Sequence, residues 1–216
     1  MKVGVFDSGV GGLSVAKAVE AALPDAEVIF VNDTAHMPYA TKSPAEIYGY
    51  IRPIFADLVA QRCDAIVVAC NTVSTTLIQR LRQDFPSVPL IAMEPMIKPA
   101  AAITKSKVIT VCATPTTLSS ERYNWLKETY AADMKVLEPD CADWSYLIEH
   151  NSMNETRLRQ EIMPALEAGT DVVVLGCTHY HWIENEIKEL VGDKAIVLQP
   201  EEPVIKQLKQ VLGLQP

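Results

Sequence analysis

The chain has 216 residues, enough for one large domain or two small ones with buried cores. Hydrophobic residues make up 49% of the sequence and charged residues 21%, close to the average of globular proteins, so the composition excludes disordered, collagen-like and coiled-coil classes. A net charge of −8 argues against a nucleic-acid-binding surface, and an anionic ligand would have to be held by local donors.

Short apolar runs alternate with segments of helical spacing along the chain. The runs predict strands at residues 2–6, 27–31, 65–69, 90–93, 108–112, 135–138, 171–175 and 195–198. The spacing predicts helices at residues 13–23, 44–60, 75–84, 97–103, about 121–130, 155–168, 184–191 and 203–212, with a helical or irregular segment at 142–150. Ser43 is expected to cap the second helix, and loops are expected at 33–42 and 114–120. Because the strands show runs of apolar residues and not an alternation of apolar and polar ones, they indicate parallel sheets covered by helices on both faces, an α/β fold.

One segment of the sequence occurs twice, which favours two similar halves. Residues 64–72 read DAIVVACNT and residues 171–179 read DVVVLGCTH, so each copy runs from an acid through an apolar strand to a cysteine. A buried parallel strand presents the residues that follow it at the carboxyl edge of the sheet, where α/β proteins bind ligands. Two thiols on opposite sides of one molecule could remove a proton from one face and return one to the other. Cys70 and Cys177 therefore indicate racemase or epimerase chemistry without a cofactor.

Each thiol has a neighbour that can exchange a proton with it. The pKa of a thiol can be tuned widely by its surroundings, and Asp7 near Cys70 and His179 near Cys177 are the expected partners. Five polar segments, which could converge on one cleft, supply the neutral donors that bind carboxylates without Lys or Arg: Asp7-Ser8, Pro38-Tyr39-Ala40, Cys70-Asn71-Thr72, Thr114 to Thr117, and Cys177-Thr178-His179. This chemistry needs no metal, nicotinamide or pyridoxal cofactor.

The remaining titratable residues have simpler interpretations. Five cysteines without a CxxC pair indicate reduced thiols, and Cys63, Cys112 and Cys141 are expected to be small buried hydrophobes. His36 and His150 are expected at the surface or at helix caps, and on the residues alone Glu149 is expected on a solvated helix face.

Two other site types are disfavoured. Cys177, His179 and His181 alternate along the chain, but this spacing matches no known zinc pattern, so a metal site there is a minor alternative. The segment DSGVGG at 7–12 lacks GxGxxG spacing and is predicted to form a tight turn from strand to helix instead of a dinucleotide loop. The start MKVGVFDSG does not resemble a signal peptide and no apolar run reaches membrane-spanning length, so a cytoplasmic protein is expected.

The chain resembles the bacterial glutamate racemases of the aspartate/glutamate racemase superfamily from Lys2 to about Val211. The matching signatures are FDSGVGGLSV at 6–15, NDTAHMPYATKS at 32–43, ACNTVS at 69–74, MEPMIKPA at 93–100, ATPTTLSSERY at 113–123 and GCTHY at 176–180. The combination of CNT and GCTH in this order is highly specific for that family.

The resemblance implies cofactor-independent interconversion of L- and D-glutamate, which supplies D-glutamate for peptidoglycan and so serves cell-wall biogenesis and cell shape. It implies a small-molecule substrate, with no nucleic-acid or membrane partner, and is compatible with a homodimer. It also implies two flavodoxin-like domains with the active site in the cleft between them. We expect these domains at residues 1–94 plus about 205–216, and at 95–204.

The resemblance also implies roles for individual residues. Cys70 and Cys177 are the paired acid/base thiols, Cys70 acting on D-glutamate and Cys177 on L-glutamate, and Asp7, His179 and Glu149 assist them. The positions implied to bind substrate are Asp7, Ser8, Tyr39, Ala40, Asn71, Thr72, Thr114, Thr117, Thr178 and His179.

Three departures from the family pattern leave the substrate open. Ala40 stands where a glycine is usual and is expected to restrict a positive φ or narrow the cleft. His181 stands where a proline is usual, and LQPEEP at 198–203 replaces a common Asp-Ser element. A racemase acting on aspartate or a broader set of acidic amino acids, and a non-catalytic amino-acid-binding homologue, remain alternatives.

Overall fold

The computed structural model describes residues 1–215 and divides into two compact units. The first unit comprises residues 1–93 and the segment from residue 201 onwards, and the second comprises residues 94–200. The strands are β1 (Lys2–Asp7), β2 (Glu27–Asn32), β3 (Ala65–Val68), β4 (Leu90–Ala92), β5 (Val108–Ala113), β6 (Lys135–Leu137), β7 (Val172–Gly176) and β8 (Ile196–Leu198). The helices are α1 (Leu13–Ala22), α2 (Pro44–Ala60), α3 (Asn71–Thr76), α4 (Ile78–Asp84), α5 (Ile97–Ile103), α6 (Pro115–Leu118), α7 (Glu121–Tyr130), α8 (Trp144–Glu149), α9 (Glu155–Glu167), α10 (Glu184–Val191) and α11 (Glu201–Val211).

The first unit is built on a parallel sheet with the strand order β2-β1-β3-β4. One face of this sheet is covered by a cluster that includes Phe6, Phe55 and Leu81. The other face is covered by a second cluster, to which α11 contributes Val204 and Leu208. Apolar strands with helices on both faces are what the uninterrupted hydrophobic runs predicted.

The second unit repeats this plan with the strand order β6-β5-β7-β8, again all parallel. Its two faces are covered by separate clusters, one around Trp144 and Tyr180 and the other around Tyr123 and Val174. The predicted α/β fold with two similar parallel sheets is confirmed.

In each sheet the strand order reverses beside the first strand, between β1 and β3 in one unit and between β5 and β7 in the other. Ligands of open α/β sheets bind outside the carboxyl ends of the strands at such a switch point. In the first unit these ends carry Asp7 and Cys70. In the second unit they carry Thr114 and Cys177.

The acid that opens each copy of the repeat has the same structural use in both units. Asp64 accepts a hydrogen bond from the backbone N–H of Lys2, where β1 begins. Asp171 accepts from the hydroxyl of Thr104 and from the backbone N–H groups of Lys105 and Ser106, just before β5 begins. Each acid therefore fastens the start of a thiol-bearing strand to the chain that enters the neighbouring strand.

Several helices begin or end at other residues than the sequence predicted, mostly where polar residues are helical. The helix predicted at 75–84 is two helices, α3 and α4, of which the first begins at Asn71 directly after Cys70. The loop predicted at 114–120 contains α6, and the predicted return to the first domain at about 205 falls inside α11. Ser43 caps α2 as expected, in a capping box with Glu46. Within residues 1–215, no helix is long and apolar enough to cross a membrane.

Candidate active site

Cys70 lies two residues after β3 and is the N-cap residue of α3. Its side chain is buried, and its Sγ lies 3.3 Å from the hydroxyl oxygen of Ser8, which follows β1. Burial, reinforced by the negative charge of Asp7, raises the pKa of Cys70 to about 12, although hydrogen bonds from Ser8 and the backbone N–H of Val73 oppose the shift. The resting Cys70 is therefore a thiol, ready to donate a proton.

Asp7 ends β1 and is fully buried. Its Oδ2 accepts a hydrogen bond of 2.6 Å from the backbone N–H of Gly12, at the start of α1. A Cβ atom at position 12 would lie 2.5 Å from the Cβ of Asp7, so only glycine allows this approach. The segment 7–12 is thus the tight strand-to-helix turn that the sequence predicted, and it holds a carboxylate beside Cys70.

Asn71 and Thr72 form the first turn of α3, and both are buried. The carboxamide nitrogen and oxygen of Asn71 are buried, and neither has a hydrogen-bond partner within residues 1–215. Buried polar groups are rarely left unpaired in native proteins. An amide that offers both a donor and an acceptor here suits a ligand that carries both an ammonium and a carboxylate group.

The Pro38-Tyr39-Ala40 segment forms a 3-10 turn, Tyr39–Thr41. Tyr39 is buried against the same hydrophobic cluster as Cys70, and its hydroxyl donates a 2.5 Å hydrogen bond to Oδ2 of Asp33. Burial and this hydrogen bond raise the pKa of Tyr39, so its hydroxyl stays a donor. Ala40 is half-buried and is not among the residues with positive φ, so the expected backbone restriction at this position does not occur.

Cys177 directly follows β7, the corresponding strand of the second unit, and is also buried. Its Sγ lies 3.9 Å from Nδ1 of His179, and Nε2 of His179 lies 3.2 Å from Oε2 of Glu149. His179 is buried, and Glu149 is half-buried at the end of α8. The expectation from the residues alone that Glu149 occupies a solvated helix face is wrong, because α8 packs against the 3-10 turn Thr178–Ile183 and brings the carboxylate onto His179.

An aromatic pair holds the 3-10 turn Thr178–Ile183 in place. Tyr180 packs edge-on against Trp144 with ring centroids 5.2 Å apart, and its hydroxyl donates to the carbonyl oxygen of Cys141. Because Trp144 begins the helix that ends at Glu149, the same contact positions both members of the His179–Glu149 pair.

The predicted threonines of the second unit also lie at strand ends. Thr114 follows β5 and is the N-cap residue of α6, where its hydroxyl accepts from the backbone N–H of Thr117 and donates to the Thr117 hydroxyl. Thr178 follows Cys177, and all three threonine side chains are buried. The site residues predicted for each unit are thus brought to the carboxyl edge of that unit's sheet.

His181 is half-buried, and both of its ring nitrogens are buried without a partner within residues 1–215. Burial, with a smaller contribution from His179, lowers the pKa of His181 to about 4, so its ring is neutral near pH 7. Among the described residues no cluster of three His, Cys, Asp or Glu side chains is arranged to hold a metal ion.

The other titratable side chains are mostly where the sequence placed them. Cys63, Cys112 and Cys141 are free, buried thiols. His150 lies 2.9 Å from the carbonyl oxygen of Tyr146 and so caps the end of α8. His36 is exposed, but its Nδ1 also lies 2.7 Å from Oδ1 of Asp33, a contact that the sequence did not indicate.

A family model described as Asp/Glu/Hydantoin racemase matches residues 13–205. The chain belongs to this family. It is 40% identical over 215 residues to the glutamate racemase of Pseudomonas aeruginosa, and the aligned region covers 98% of this chain and 81% of that protein.

Solved structures of the racemase family have the same fold. A glutamate racemase of Escherichia coli, in complex with L-glutamate and the activator UDP-MurNAc-Ala, superposes with a TM-score of 0.87 at 29% identity, covering 98% of this chain and 82% of that one. A glutamate racemase of Francisella tularensis, in complex with D-glutamate, gives a TM-score of 0.84 at 27% identity over 98% of this chain and 80% of that one.

Proposed function

We propose that the chain is a glutamate racemase that interconverts L- and D-glutamate by a two-thiol acid/base mechanism without a cofactor. The observation that carries the proposal is the pair of buried thiols that follow central strands, Cys70 near Asp7 and Cys177 near His179. Membership of the racemase family and similarity to enzymes named glutamate racemase support this substrate. The product D-glutamate would serve peptidoglycan synthesis, and the five free cysteines fit action in the reducing cytoplasm.

The proposed proton transfers are balanced between the two thiols. In the L-to-D direction, the Cys177 thiolate takes the Cα proton and becomes a thiol, leaving the bonding electrons on a carbanion that the adjacent carboxylate stabilises. The Cys70 thiol then delivers a proton to the opposite face and becomes a thiolate. The reverse direction exchanges these roles, and the reaction has no net uptake of protons. The raised pKa of Cys70 suits its role as proton donor to a substrate that starts as L-glutamate.

The groups beside each thiol differ in how they return it to its starting state. The negative charge of Asp7 disfavours a Cys70 thiolate, so this pair holds one negative charge more easily than two, and a proton moving from Cys70 to Asp7 would create the thiolate. His179 lies between Cys177 and Glu149 and can relay a proton to or from the thiol. We assign substrate binding to Ser8, Tyr39, Ala40, Asn71, Thr72, Thr114, Thr117 and Thr178, with the unpaired Asn71 amide as the main support for that assignment.

The test is deuterium incorporation at Cα of L- and D-glutamate in heavy water, with aspartate as a parallel substrate. We expect Cys70→Ser and Cys177→Ser to fold and to lose racemisation by about two to four orders of magnitude, because a serine hydroxyl is too weak an acid to replace the thiol. Cys63→Ser is the matched control, since Cys63 lies before β3 instead of after it, and it should keep wild-type turnover. Near-normal turnover in either site variant would refute the two-thiol mechanism, and exchange confined to aspartate would refute glutamate as the substrate.

A further inference from the structure

Asp33 is a buried carboxylate that the sequence signals did not single out. It directly follows β2, and its side chain is only 7% exposed. A buried carboxylate is costly unless hydrogen bonds satisfy it, so its partners show what it is used for. Its backbone N–H donates to the carbonyl oxygen of Asp7, which ties the start of the 33–42 segment to the end of β1.

Both carboxylate oxygens of Asp33 bind side chains of its own loop. Oδ2 accepts from the hydroxyl of Tyr39, and Oδ1 lies 2.7 Å from Nδ1 of His36. The His36 ring is stacked on Tyr50 of α2, with centroids 3.9 Å apart and an interplanar angle of 10°. The loop is therefore fastened at three points: the end of β1, the buried phenol of Tyr39, and the surface of α2.

Tyr39 lies in the same hydrophobic cluster as Cys70, and the negative charge of Asp7 is near enough to help raise the pKa of its hydroxyl. A loop that carries a buried group beside the reactive thiol must be held within a fraction of an ångström, because small misplacements of binding groups cost large factors in rate or affinity. The carboxylate of Asp33 joins the side chains of Tyr39 and His36 to one another.

We propose that Asp33 is a positioning residue for the substrate, acting through Tyr39 and the 3-10 turn that follows it. This inference rests on the proposed racemase function. Asp33 does not exchange protons with the substrate in this role; it fixes the hydroxyl of Tyr39 and, through it, the backbone of the Tyr39–Thr41 turn.

The test separates KM from kcat. Binding that is equal in the ground state and the transition state appears in KM alone, so Asp33→Ala should raise KM for L- and D-glutamate roughly tenfold with kcat little changed. Asp33→Asn keeps an acceptor oxygen for Tyr39 and should restore most of the affinity. Because Asp33 acts through the Tyr39 hydroxyl, Asp33→Ala should add little, within about twofold, when made in a Tyr39→Phe background.

A second tyrosine–aspartate pair of the same unit provides the matched control. The hydroxyl of Tyr48 donates to Asp84, which ends α4 near the amino edge of the sheet, opposite Cys70. Asp84→Ala also removes a carboxylate from a tyrosine, and we expect it to lower thermal stability without changing KM. If Asp33→Ala does not fold, Asp33→Leu replaces it, because leucine has the same branched arrangement of heavy atoms as aspartate and no acceptor.

The outcomes distinguish this inference from the proposed function. A wild-type protein that neither exchanges deuterium into glutamate nor gains thermal stability from it would contradict the racemase function itself. A wild-type protein that turns over glutamate while Asp33→Ala keeps its KM would overturn only the role of Asp33. The role of Asp33 would also be overturned if the double variant raised KM by the product of the effects of Asp33→Ala and Tyr39→Phe.

Discussion

At the scale of single residues, the two thiols have chemically different neighbours. Cys70 lies beside a hydroxyl and the carboxylate of Asp7, whereas Cys177 lies beside an imidazole that is itself bound by Glu149. A carboxylate beside a thiol raises the pKa of that thiol, whereas an imidazole can take its proton and leave a thiolate–imidazolium pair. The repeat in the sequence therefore places two equivalent sulfurs in unequal electrostatic settings.

His181 should make the stability of the protein depend on pH. Its pKa is about 4 in the folded state and 6.5 in the unfolded chain, so between these values the unfolded state binds more protons and stability falls as the pH falls. Between pH 7 and pH 5, the titration of His181 should lower the free energy of unfolding by about 2 kcal/mol. His181→Leu should remove that drop in urea titrations and leave the protein at least as stable at pH 7, since two unpaired nitrogens are lost.

His150, whose ring is exposed and stacked on Tyr146, is the matched control. His150→Leu should retain the acid-dependent loss of stability seen in the wild type. An unchanged pH dependence in His181→Leu would show that other groups cause it.

The sequence identified those site residues whose partners are local or repeated. Cys70 and Cys177 follow matched strands, and His179 is two residues from its thiol. Residue patterns alone gave no sign of Glu149, thirty residues from His179 along the chain, because only the packing of α8 brings them together. Asp33 was missed for a related reason, since a polar loop shows no periodicity from which a buried carboxylate can be predicted.

At the scale of elements, the strands were predicted well and the short helices were not. Buried strands leave uninterrupted apolar runs, whereas α3 consists of Asn71, threonines, a serine and a valine, residues of low helix propensity. Tertiary burial and hydroxyl-to-carbonyl hydrogen bonds, from Thr75 to Asn71 and from Thr76 to Thr72, accompany this helix. The helical conformation of α3 therefore depends on the surrounding fold and cannot be predicted from the helix propensities of its residues.

The junction between β1 and α1 depends on Gly12. Gly12→Ala would force its Cβ against Asp7, so we expect a loss of about 1 to 3 kcal/mol in the free energy of unfolding, with a loss of racemisation because the Asp7 carboxylate moves. Gly49→Ala is the matched control: position 49 lies within α2 with open space around it, and alanine should stabilise the helix by about 0.5 to 1 kcal/mol. Denaturant unfolding and turnover check both variants, and equal effects at the two positions would contradict this reasoning.

At the scale of the whole molecule, the first unit is made from two separate stretches of chain. Helix α11 packs against α1, β3 and β4, and its Val204 and Leu208 complete one of the two cores of that unit. Burying each such side chain contributes about 1.5 to 3 kcal/mol, so the helix supplies a large part of a stability that is typically about 5 to 15 kcal/mol. The second unit, in contrast, is a single stretch with a sheet and two cores of its own.

The two units should therefore behave differently as fragments. We expect residues 94–200 to unfold cooperatively in denaturant when expressed alone, whereas residues 1–93 should not. Adding a peptide of residues 200–216 to the 1–93 fragment should restore a cooperative transition, measured by circular dichroism. A peptide with Val204→Asp and Leu208→Asp is the control and should not restore it, and a cooperative transition of 1–93 without any peptide would contradict the prediction.

The discontinuity also bears on how the protein is made. Domains usually fold in the order in which they leave the ribosome. Here the strands β1 to β4 and helix α1 emerge first, but α11, which completes the cover of one face of their sheet, is translated only after the whole of the second unit. During synthesis part of that apolar face would stay exposed until the second unit is finished, which makes the nascent N-terminal segment the part of the chain most in need of chaperones.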